Sequence, residues 1–364
     1  MTVDVDRFHR AQMVIDDVIA EPSPLFPGAV LTVADERDTL RRAAGLAVRY
    51  LDTGHELPLE EQVPMVETTI FDLASISKLF TSIVIMQLVE RGLVDLDRPV
   101  ADYLDEFEVD GKRGIKVRSL LTHTSGLPWW LPLWRDFDDP KARLDAALLA
   151  ATVTEPGTEY CYSDINLITL GEVAHRVAGA PLEVLVRRGV TGPLQMPDTG
   201  YNPSAEAVQR SAATEYEADA GRGMVRGQVH DENAWSLGGV AGHAGVFGTA
   251  ADLTQLARCV LAGGTLNGAR VLGSDSLALM TSNQVEARSG IGHDHGLGFE
   301  IGEPWFMGAL AGPRTIGHTG FTGTSLVVNL DSGLIVILLT NRVHPSRSGG
   351  TINHIRAAVC DALA

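Results

Sequence analysis

The chain has 364 residues, of which 45% are hydrophobic and 21% are charged, an ordinary composition for a globular protein with one large core or two smaller ones. Its 46 acidic and 29 basic residues give a net charge of −17, which repels phosphate backbones and anionic membrane surfaces. We therefore expect a small-molecule partner rather than nucleic acid or a membrane. Composition gives no indication of the oligomeric state.

Cysteine usage and the N-terminal sequence bear on the cellular compartment. Cys161, Cys259 and Cys360 are far apart, and none belongs to a C-x-x-C pair or a cluster with metal-ligand spacing. The N-terminal segment lacks the basic stretch and continuous apolar run of an export signal. No sequence stretch has the length of apolar residues that a transmembrane helix needs. These features predict a cytoplasmic protein.

The first predicted elements are an amphipathic helix near the N-terminus and two short apolar strands, 27–33 and 45–48, around a charged turn. The middle of the chain has mostly helical periodicity and is predicted to be a helical insertion. Its predicted helices, several of them followed by a glycine that favours a helix end, cover 78–91, 142–150, 166–177 and 251–261.

The last third of the chain predicts a second hairpin and a terminal helix. Strands are expected at 325–330 and 334–340, joined by the turn 331–333. The second of these strands is strongly apolar and should lie in the middle of the sheet. Residues 351–363 carry apolar side chains at helical spacing, so the sheet should be accompanied by a C-terminal helix.

A candidate nucleophile stands at the start of the first helix in the middle of the chain. Ser75 and Lys78 form an S-x-x-K pattern, whose spacing places both side chains on one face of a helical turn. A serine hydroxyl becomes a good nucleophile when a neighbouring base, such as a partly desolvated lysine, accepts its proton. The S-x-x-K pattern alone is common, and a serine that caps a helix followed by a solvated lysine would show the same pattern.

Two further segments strengthen this interpretation. Tyr162 and Asp164 form a Tyr-x-Asp at a helix start, and a tyrosine among cations can act as a general base below its usual pKa of about 10. His318, Thr319 and Gly320 precede the C-terminal hairpin, where closely spaced glycines allow substrate to lie against the backbone. The three segments in this order are much less likely by chance than any one alone.

These segments resemble the S-x-x-K, Y-x-N and K-T-G elements of the serine β-lactamase and penicillin-binding-protein family, and are most similar to its class C-like esterase branch. Three other runs, 120–128, 192–199 and 242–249, also look like that family. The similarity extends over roughly residues 26 to 343.

The resemblance implies an α+β fold with an antiparallel sheet flanked by N- and C-terminal helices and an inserted, mainly helical domain. On this basis the sheet domain is assigned to residues 1–72 and 222–364, and the helical domain to 73–221. The active site would lie in the crevice between the two domains. No cofactor and no metal are expected.

The resemblance also implies roles for individual residues. Ser75 would be acylated, Lys78 and Tyr162 would share the proton transfer, and the backbone amides of Ser75 and Phe321 would form the oxyanion hole. Loss of one oxyanion donor typically raises the barrier by on the order of 3 kcal/mol. His318 is assigned as a further catalytic residue, and Asp164, Thr319 and Gly320 are assigned to substrate binding.

Two positions depart from the family pattern. His318 stands where most members have lysine, and a histidine is largely neutral at pH 7, so a fixed cation for a substrate carboxylate is weakened. Asp164 replaces asparagine, and its charge would raise the pKa of Lys78 or hold the lysine in a salt bridge, which favours Tyr162 as the base. The weakened cation and the missing export signal favour ester or small-amide substrates over β-lactams and peptidoglycan peptides, which are met outside the cytoplasm.

We therefore expect a carboxylesterase or small-amide hydrolase. A transacylase that passes the acyl group to an amine or alcohol is an alternative, because it uses the same first half-reaction. A β-lactamase, a D-alanyl peptidase and a non-catalytic binding protein of the same fold are further alternatives. An α/β-hydrolase is disfavoured, since no serine lies in a G-x-S-x-G between a strand and a helix.

Two other groups of residues were considered for the site. The histidines at 230, 243, 293 and 295 lack a zinc-enzyme pattern such as H-E-x-x-H and are interpreted as loop or structural residues. Trp129, Trp130 and Trp134 lie in a predicted loop after the run 120–128. We assign them to the wall of an apolar acyl pocket, with a buried core patch as the alternative.

Overall fold

The β-strands belong to one large sheet and three small ones in the computed structural model, which describes residues 3–285 and 293–364. They are β1 (Gly28–Ala34), β2 (Thr39–Val48), β3 (Val63–Pro64), β4 (Phe71–Asp72), β5 (Gly200–Tyr201), β6 (Ala213–Glu217), β7 (Gly223–Arg226), β8 (Val246–Gly248), β9 (Thr265–Leu266), β10 (Ala269–Arg270), β11 (Glu300–Ile301), β12 (Thr315–Gly320), β13 (Thr324–Asn329) and β14 (Ile335–Thr340). The large sheet has the order β11-β12-β13-β14-β1-β2-β3, and its neighbouring strands are antiparallel.

The α-helices flank this sheet and fill the middle of the chain. They are α1 (Val5–Ile19), α2 (Ser77–Glu90), α3 (Val117–Leu121), α4 (Leu133–Asp136), α5 (Pro140–Leu148), α6 (Asp164–Ala178), α7 (Leu182–Val186), α8 (Ala205–Gln209), α9 (Glu232–Ser236), α10 (Ala250–Leu261), α11 (Ser274–Met280), α12 (Pro304–Met307) and α13 (Asn353–Asp361). No helix of the described residues is both long and apolar enough to span a bilayer.

The central strands β1 and β14 are buried along their whole length. Val30 and Ile337 face the core shared with α2 and α6, whereas Leu31 and Leu338 face the core shared with α1 and α13. Because both faces of the sheet are covered, these strands are mostly apolar, with Thr32 and Thr340 as the exceptions, instead of alternating with polar residues. β14 pairs with both β13 and β1, which confirms its predicted place inside the sheet.

The two terminal helices pack against each other on one face of the sheet. The Arg7 side chain of α1 donates a hydrogen bond of 2.8 Å to the carbonyl of Leu363, just after α13. The sheet, its terminal helices and the helical middle of the chain confirm the predicted α+β fold.

One strand is longer than the sequence indicated. β2 pairs with β1 from Thr39 to Gly45, although a strand was predicted only at 45–48. The earlier part was missed because Arg41 and Arg42 make it look like a surface turn. The Arg41 side chain instead lies along the sheet and donates to the Thr32 hydroxyl at 2.8 Å.

The helices from α2 to α8 all lie within the predicted helical domain, 73–221. The hairpin formed by β6 and β7 crosses the predicted boundary at 221–222. The small sheet β4-β8-β5 also joins segments from both sides of the boundary. The division into two domains stays a prediction.

Candidate active site

Ser75 lies in a short 3-10 turn, Ala74–Ile76, between β4 and α2. Ala74, directly before it, has a φ of 47°, a left-handed conformation that costs energy in a residue with a Cβ atom. The buried carboxylate of Asp72 accepts hydrogen bonds from the backbone N–H of Ala74 at 2.9 Å and of His230 at 2.6 Å. These bonds hold the strained turn and present Ser75 at the surface.

Lys78 lies one turn further along, at the start of α2, and is only 1% exposed. Its ammonium group donates to Ser75 Oγ at 2.8 Å and to the backbone carbonyl of His243 at 3.3 Å. It also forms an ion pair of 2.8 Å with Asp164 Oδ1. The salt bridge expected from the Tyr-x-Asp sequence is therefore present, beside the contacts of the ammonium group with the Ser75 hydroxyl and the His243 carbonyl.

The charges around Lys78 determine its protonation. Burial alone would lower the pKa of Lys78, but the Asp164 carboxylate and Tyr162 outweigh burial and raise it above its ordinary value. Burial raises the pKa of Tyr162, against the opposing effect of the Lys78 ammonium group. At neutral pH the resting site thus holds an ammonium group and a phenol. Tyr162 forms hydrogen bonds with both Lys78 and Ser75. In addition, Lys78 Nζ lies 4.7 Å from the centroid of the Tyr162 ring.

His123 supports Tyr162 from behind, a role that the sequence analysis did not assign. The two ring centroids are 4.7 Å apart, and His123 Nδ1 accepts the backbone N–H of Ser163 at 3.0 Å. Burial, followed by the neighbouring His295, holds the pKa of His123 well below its usual value. The neutral ring therefore fixes the segment that carries Tyr162 without adding charge.

His318 lies in β12 and is 1% exposed. Its Nδ1 contacts the carbonyl of Thr319 at 2.8 Å, and Nε2 is buried without a partner among the described residues. Burial, aided by the Lys78 ammonium group, lowers the pKa of His318 to about 3. The imidazole is thus neutral at pH 7, as the sequence predicted, and burial is the main cause.

An open cleft of about 480 Å³ lies above these groups. Lys78 and His318 are buried beneath its surface. Its lining includes the predicted site residues Ser75, Tyr162, Thr319, Gly320 and Phe321, together with residues that were not predicted: Tyr160, His293, Glu300, Trp305, Arg342, Thr351, Ile352, Asn353 and Arg356. The structure therefore brings all three sequence segments to one cleft.

The cleft contains two arginines that the sequence analysis missed. Arg342 follows β14, and its Nε donates to the carbonyl of Phe321 at 2.9 Å. Arg356 lies in α13 and donates to the carbonyl of Gly320 at 2.8 Å. The i, i+3 spacing of Asn353 and Arg356 at the start of the terminal helix was the one available signal. Cations are thus present in the cleft although position 318 supplies none.

Glu300 in β11 is a buried carboxyl group on the same wall. Burial, with a contribution from Glu303, raises the pKa of Glu300 to about 8. His293 stacks on Tyr160 with ring centroids 3.8 Å apart, and its Nδ1 lies 3.4 Å from Glu303 Oε1. This wall therefore combines aromatic surface with a carboxyl group that is mostly protonated at pH 7.

The tryptophan loop does not supply the predicted acyl-pocket wall. Trp129 is 64% exposed and stacks on Trp130, and neither these two nor Trp134 belongs to the lining of the cleft. Backbone hydrogen bonds join this loop to α6 and α9 outside the lining of the cleft: the Trp129 carbonyl accepts the N–H of Asp164 at 2.9 Å. The backbone N–H of Trp134 donates to the Asn233 side chain at 3.1 Å.

Two groups of described side chains have possible metal-ligand atoms within 4.8 Å of one another, namely Asp164 with Asp231 and His243, and Glu215 with Glu217 and His230. Protein cations already contact both groups. Lys78 pairs with Asp164, and Arg222 and Arg347 pair with Glu217 and Glu215. A positive charge in each group disfavours a metal ion there, so we assign none.

The chain was compared with known proteins by sequence. The family model for Beta-lactamase matches residues 16–361. A relative from Escherichia coli (strain K12), provisionally named a D-alanyl-D-alanine carboxypeptidase, is 30% identical over 353 residues, which cover 86% of this chain and 78% of the relative.

Solved structures with the same fold also match this chain. EstCE1, described as a hydrolase with promiscuous acyltransferase activity, is 24% identical with a TM-score of 0.75 and 98% coverage of both chains. A class C β-lactamase is 19% identical with a TM-score of 0.76, covering 98% of this chain and 96% of that one. Together with the match over nearly the whole sequence, these findings show that the chain belongs to the Beta-lactamase family of serine acyl-transfer proteins.

Proposed function

We propose that this protein is a serine-dependent carboxylesterase that forms an acyl-enzyme on Ser75. The observation that carries the proposal is the 2.8 Å contact between Ser75 Oγ and the buried Lys78 ammonium group at the floor of the open cleft. The partner we propose is a small neutral ester.

Acylation begins when Ser75 Oγ attacks the carbonyl carbon of the ester. Tyr162 first loses its phenol proton to solvent, and the neighbouring Lys78 ammonium group stabilises the resulting phenolate. The serine proton then passes to this phenolate. The carbonyl oxygen becomes negatively charged and is bound by the backbone N–H groups of Ser75 and Phe321. When the tetrahedral intermediate collapses, the bond to the alcohol oxygen breaks, and this oxygen takes the proton from Tyr162.

Deacylation repeats these steps with water as the nucleophile. Water gives its proton to Tyr162 and attacks the acyl carbon, and the bond to Ser75 Oγ breaks as the proton returns to the serine. The products are a carboxylic acid and free Ser75. An alcohol or amine in place of water would give an acyl transfer, so hydrolysis and transfer share the acyl-enzyme.

The neutral state of His318 supports esters over carboxylate-bearing substrates. Lysine at this place would offer a full positive charge, whereas a buried imidazole with a pKa of about 3 offers none at pH 7. The Arg342 and Arg356 guanidinium groups donate to backbone carbonyls and so have fewer N–H groups left for a ligand. The cleft therefore holds positive charge with little free hydrogen-bonding capacity.

A peptidase acting on D-alanyl termini is the second candidate. The presence of Arg342 and Arg356 in the cleft favours it, because a terminal carboxylate needs a nearby cation. The provisional name of the Escherichia coli relative agrees with this alternative.

The two candidates are separated by measuring kcat/KM at pH 7.5 for p-nitrophenyl butyrate, a peptide ending in D-alanyl-D-alanine and a cephalosporin. We expect the ester to be hydrolysed at least 100-fold better than either carboxylate-bearing substrate, roughly the discrimination that one charge-assisted contact provides. Comparable or faster cleavage of the peptide would reject the esterase assignment and support the peptidase. An acceptor alcohol added to the ester assay reports transfer as a new ester product.

A further inference from the structure

The Arg356 side chain extends from α13 to the turn between β12 and β13 and is 6% exposed. Its Nη2 donates to two backbone carbonyls, those of Gly320 at 2.8 Å and Thr324 at 2.9 Å. Its Nη1 donates to the side chain of Asn353 at 2.8 Å. Two of its three nitrogens are therefore already bonded to protein oxygens.

The carbonyl of Gly320 belongs to the same peptide group as the N–H of Phe321. In a trans peptide group the C=O and N–H bonds point in opposite directions, so a donor that holds the oxygen also fixes the direction of the N–H. A hydrogen bond from a guanidinium group is charge-assisted, and it polarises the peptide group so that its N–H becomes a stronger donor. Gly323 N–H also reaches the Gly320 carbonyl, at 3.0 Å, and closes the turn.

The same turn packs closely on the turn that carries the nucleophile. A Cβ atom at Gly320 would lie 2.5 Å from the carbonyl oxygen of Leu73, so only glycine permits this approach. The Thr322 hydroxyl donates to the Asp72 carbonyl at 2.7 Å, and the Thr324 hydroxyl donates to the Leu73 carbonyl at 3.1 Å. The spacing between the Ser75 and Phe321 amides is thus set by direct contacts.

We propose that Arg356 is a positioning residue for the oxyanion hole, holding the Gly320 carbonyl so that the Phe321 N–H is aimed and polarised towards the oxyanion. The inference rests on the proposed function, which assigns the Phe321 amide to the oxyanion. Arg356 then acts on every acyl substrate, including those without charge. A residue that only bound a substrate carboxylate would leave neutral substrates unaffected.

Arg342 provides a matched control. It lines the same cleft and also donates to a backbone carbonyl, that of Phe321. This carbonyl belongs to the next peptide group along the chain, whose N–H is that of Thr322. Arg342→Gln therefore removes the same charge from the cleft and leaves the Gly320–Phe321 peptide group bound.

The test measures kcat and KM for p-nitrophenyl butyrate, a neutral ester, with the wild type and with Arg356→Gln, Arg356→Lys and Arg342→Gln. Removing an oxyanion donor lowers kcat about 100-fold or more, so loss of its support should lower kcat about 10-fold to 100-fold, with KM changed less than about 3-fold. Arg356→Lys retains the cation and should recover part of the loss. The affinity for a neutral trifluoromethyl ketone, whose adduct with Ser75 carries an oxyanion, should fall in parallel with kcat.

Three results would overturn the inference: a wild-type kcat for Arg356→Gln on the neutral ester, an equal loss of kcat in Arg342→Gln, or a trifluoromethyl ketone affinity that stays unchanged while kcat falls. If Arg356→Gln does not fold, a folded Arg356→Lys with wild-type kcat and ketone affinity overturns it as well. Failure of the proposed function is seen separately, because the wild type itself would then not hydrolyse the ester.

Discussion

Charge is arranged differently on two walls of the cleft. We call the side with Ser75, Lys78, Tyr162 and Asp164 the helical wall, and the side with His318, Arg342 and Arg356 the sheet wall. On the helical wall, Lys78 and Asp164 form a close ion pair beside Ser75 and Tyr162. On the sheet wall, His318 is kept neutral by burial. The guanidinium groups of that wall are bonded to backbone carbonyls. The helical wall therefore has its charges next to the nucleophile, whereas the charged groups of the sheet wall are either neutralised or already hydrogen-bonded.

This contrast separates two kinds of variant. Changes on the helical wall should lower the rate on every substrate, because each acyl transfer needs the same proton movements. Changes at His318 should alter the ratio between substrates, because that position affects what the cleft attracts. The predictions below test this separation, beginning with the largest expected effect.

Lys78→Ala and Tyr162→Phe should each lower kcat/KM for p-nitrophenyl butyrate by roughly 10² to 10⁴, the range typical of general acid–base groups. The loss should be similar for esters with different acyl chains. Lys112→Ala is a matched control, because Lys112 is also 1% exposed and bonded to a backbone carbonyl, that of Leu148, outside the cleft lining. Full activity in either helical-wall variant, per folded molecule, would refute its assigned role.

His318→Lys should raise the ratio of cephalosporin to ester kcat/KM by about 10-fold, because a charge-assisted hydrogen bond contributes about 1.5 to 3 kcal/mol. The gain is limited by the nearby Lys78 ammonium group, which repels a second one. The measurement is kcat/KM for both substrates at pH 7.5, with His318→Gln as the uncharged control. An unchanged ratio would show that position 318 does not determine selectivity.

The helical wall was predictable from the sequence in a way that the sheet wall was not. Ser75 and Lys78 are three residues apart, so helix geometry alone brings them together. Arg356 reaches Gly320 from 36 positions further along the chain, through the packing of α13, and no spacing rule predicts such a contact. The prediction for the tryptophan loop was wrong for a similar reason: its sequence indicates an apolar surface, but its place in the structure depends on long-range contacts such as the bond between the Trp134 N–H and the Asn233 side chain.

The pH dependence should reflect Tyr162 and not a histidine. Because the pKa of Tyr162 is raised, little of its base form is present at neutral pH. That form becomes more abundant as pH increases, so kcat/KM for the ester should rise from pH 6 to 9. His318 and His295 should give no inflection near pH 6.5, because their pKa values are about 3 and about 4, whereas Glu300, with a pKa of about 8, contributes to the profile within this range. Asp164→Asn removes a charge that raises the pKa of Tyr162 and of Lys78, so the rise should move to lower pH. A rise at unchanged pH in that variant would contradict the electrostatic assignment.

A further prediction concerns stability in acid and not catalysis. Burial lowers the pKa of His295 to about 4, below its value of about 6.5 in the unfolded chain. The stabilisation is complete above pH 6.5 and is lost as pH falls, because only the unfolded chain then takes up the proton. Between pH 7.5 and 4.5 the wild type should lose about 2 kcal/mol more unfolding free energy than His295→Gln in denaturant titrations. Equal losses would show that His295 binds a proton in the folded state.

The central claim, acylation of Ser75, is tested most directly by intact mass spectrometry during turnover of a slowly hydrolysed p-nitrophenyl ester. The wild type should gain the mass of one acyl group, located by digestion on the peptide that contains Ser75, and lose it when the ester is exhausted. Ser75→Ala should show neither the added mass nor turnover, with its fold unchanged. An acyl group on another residue, or wild-type turnover by Ser75→Ala, would contradict the account.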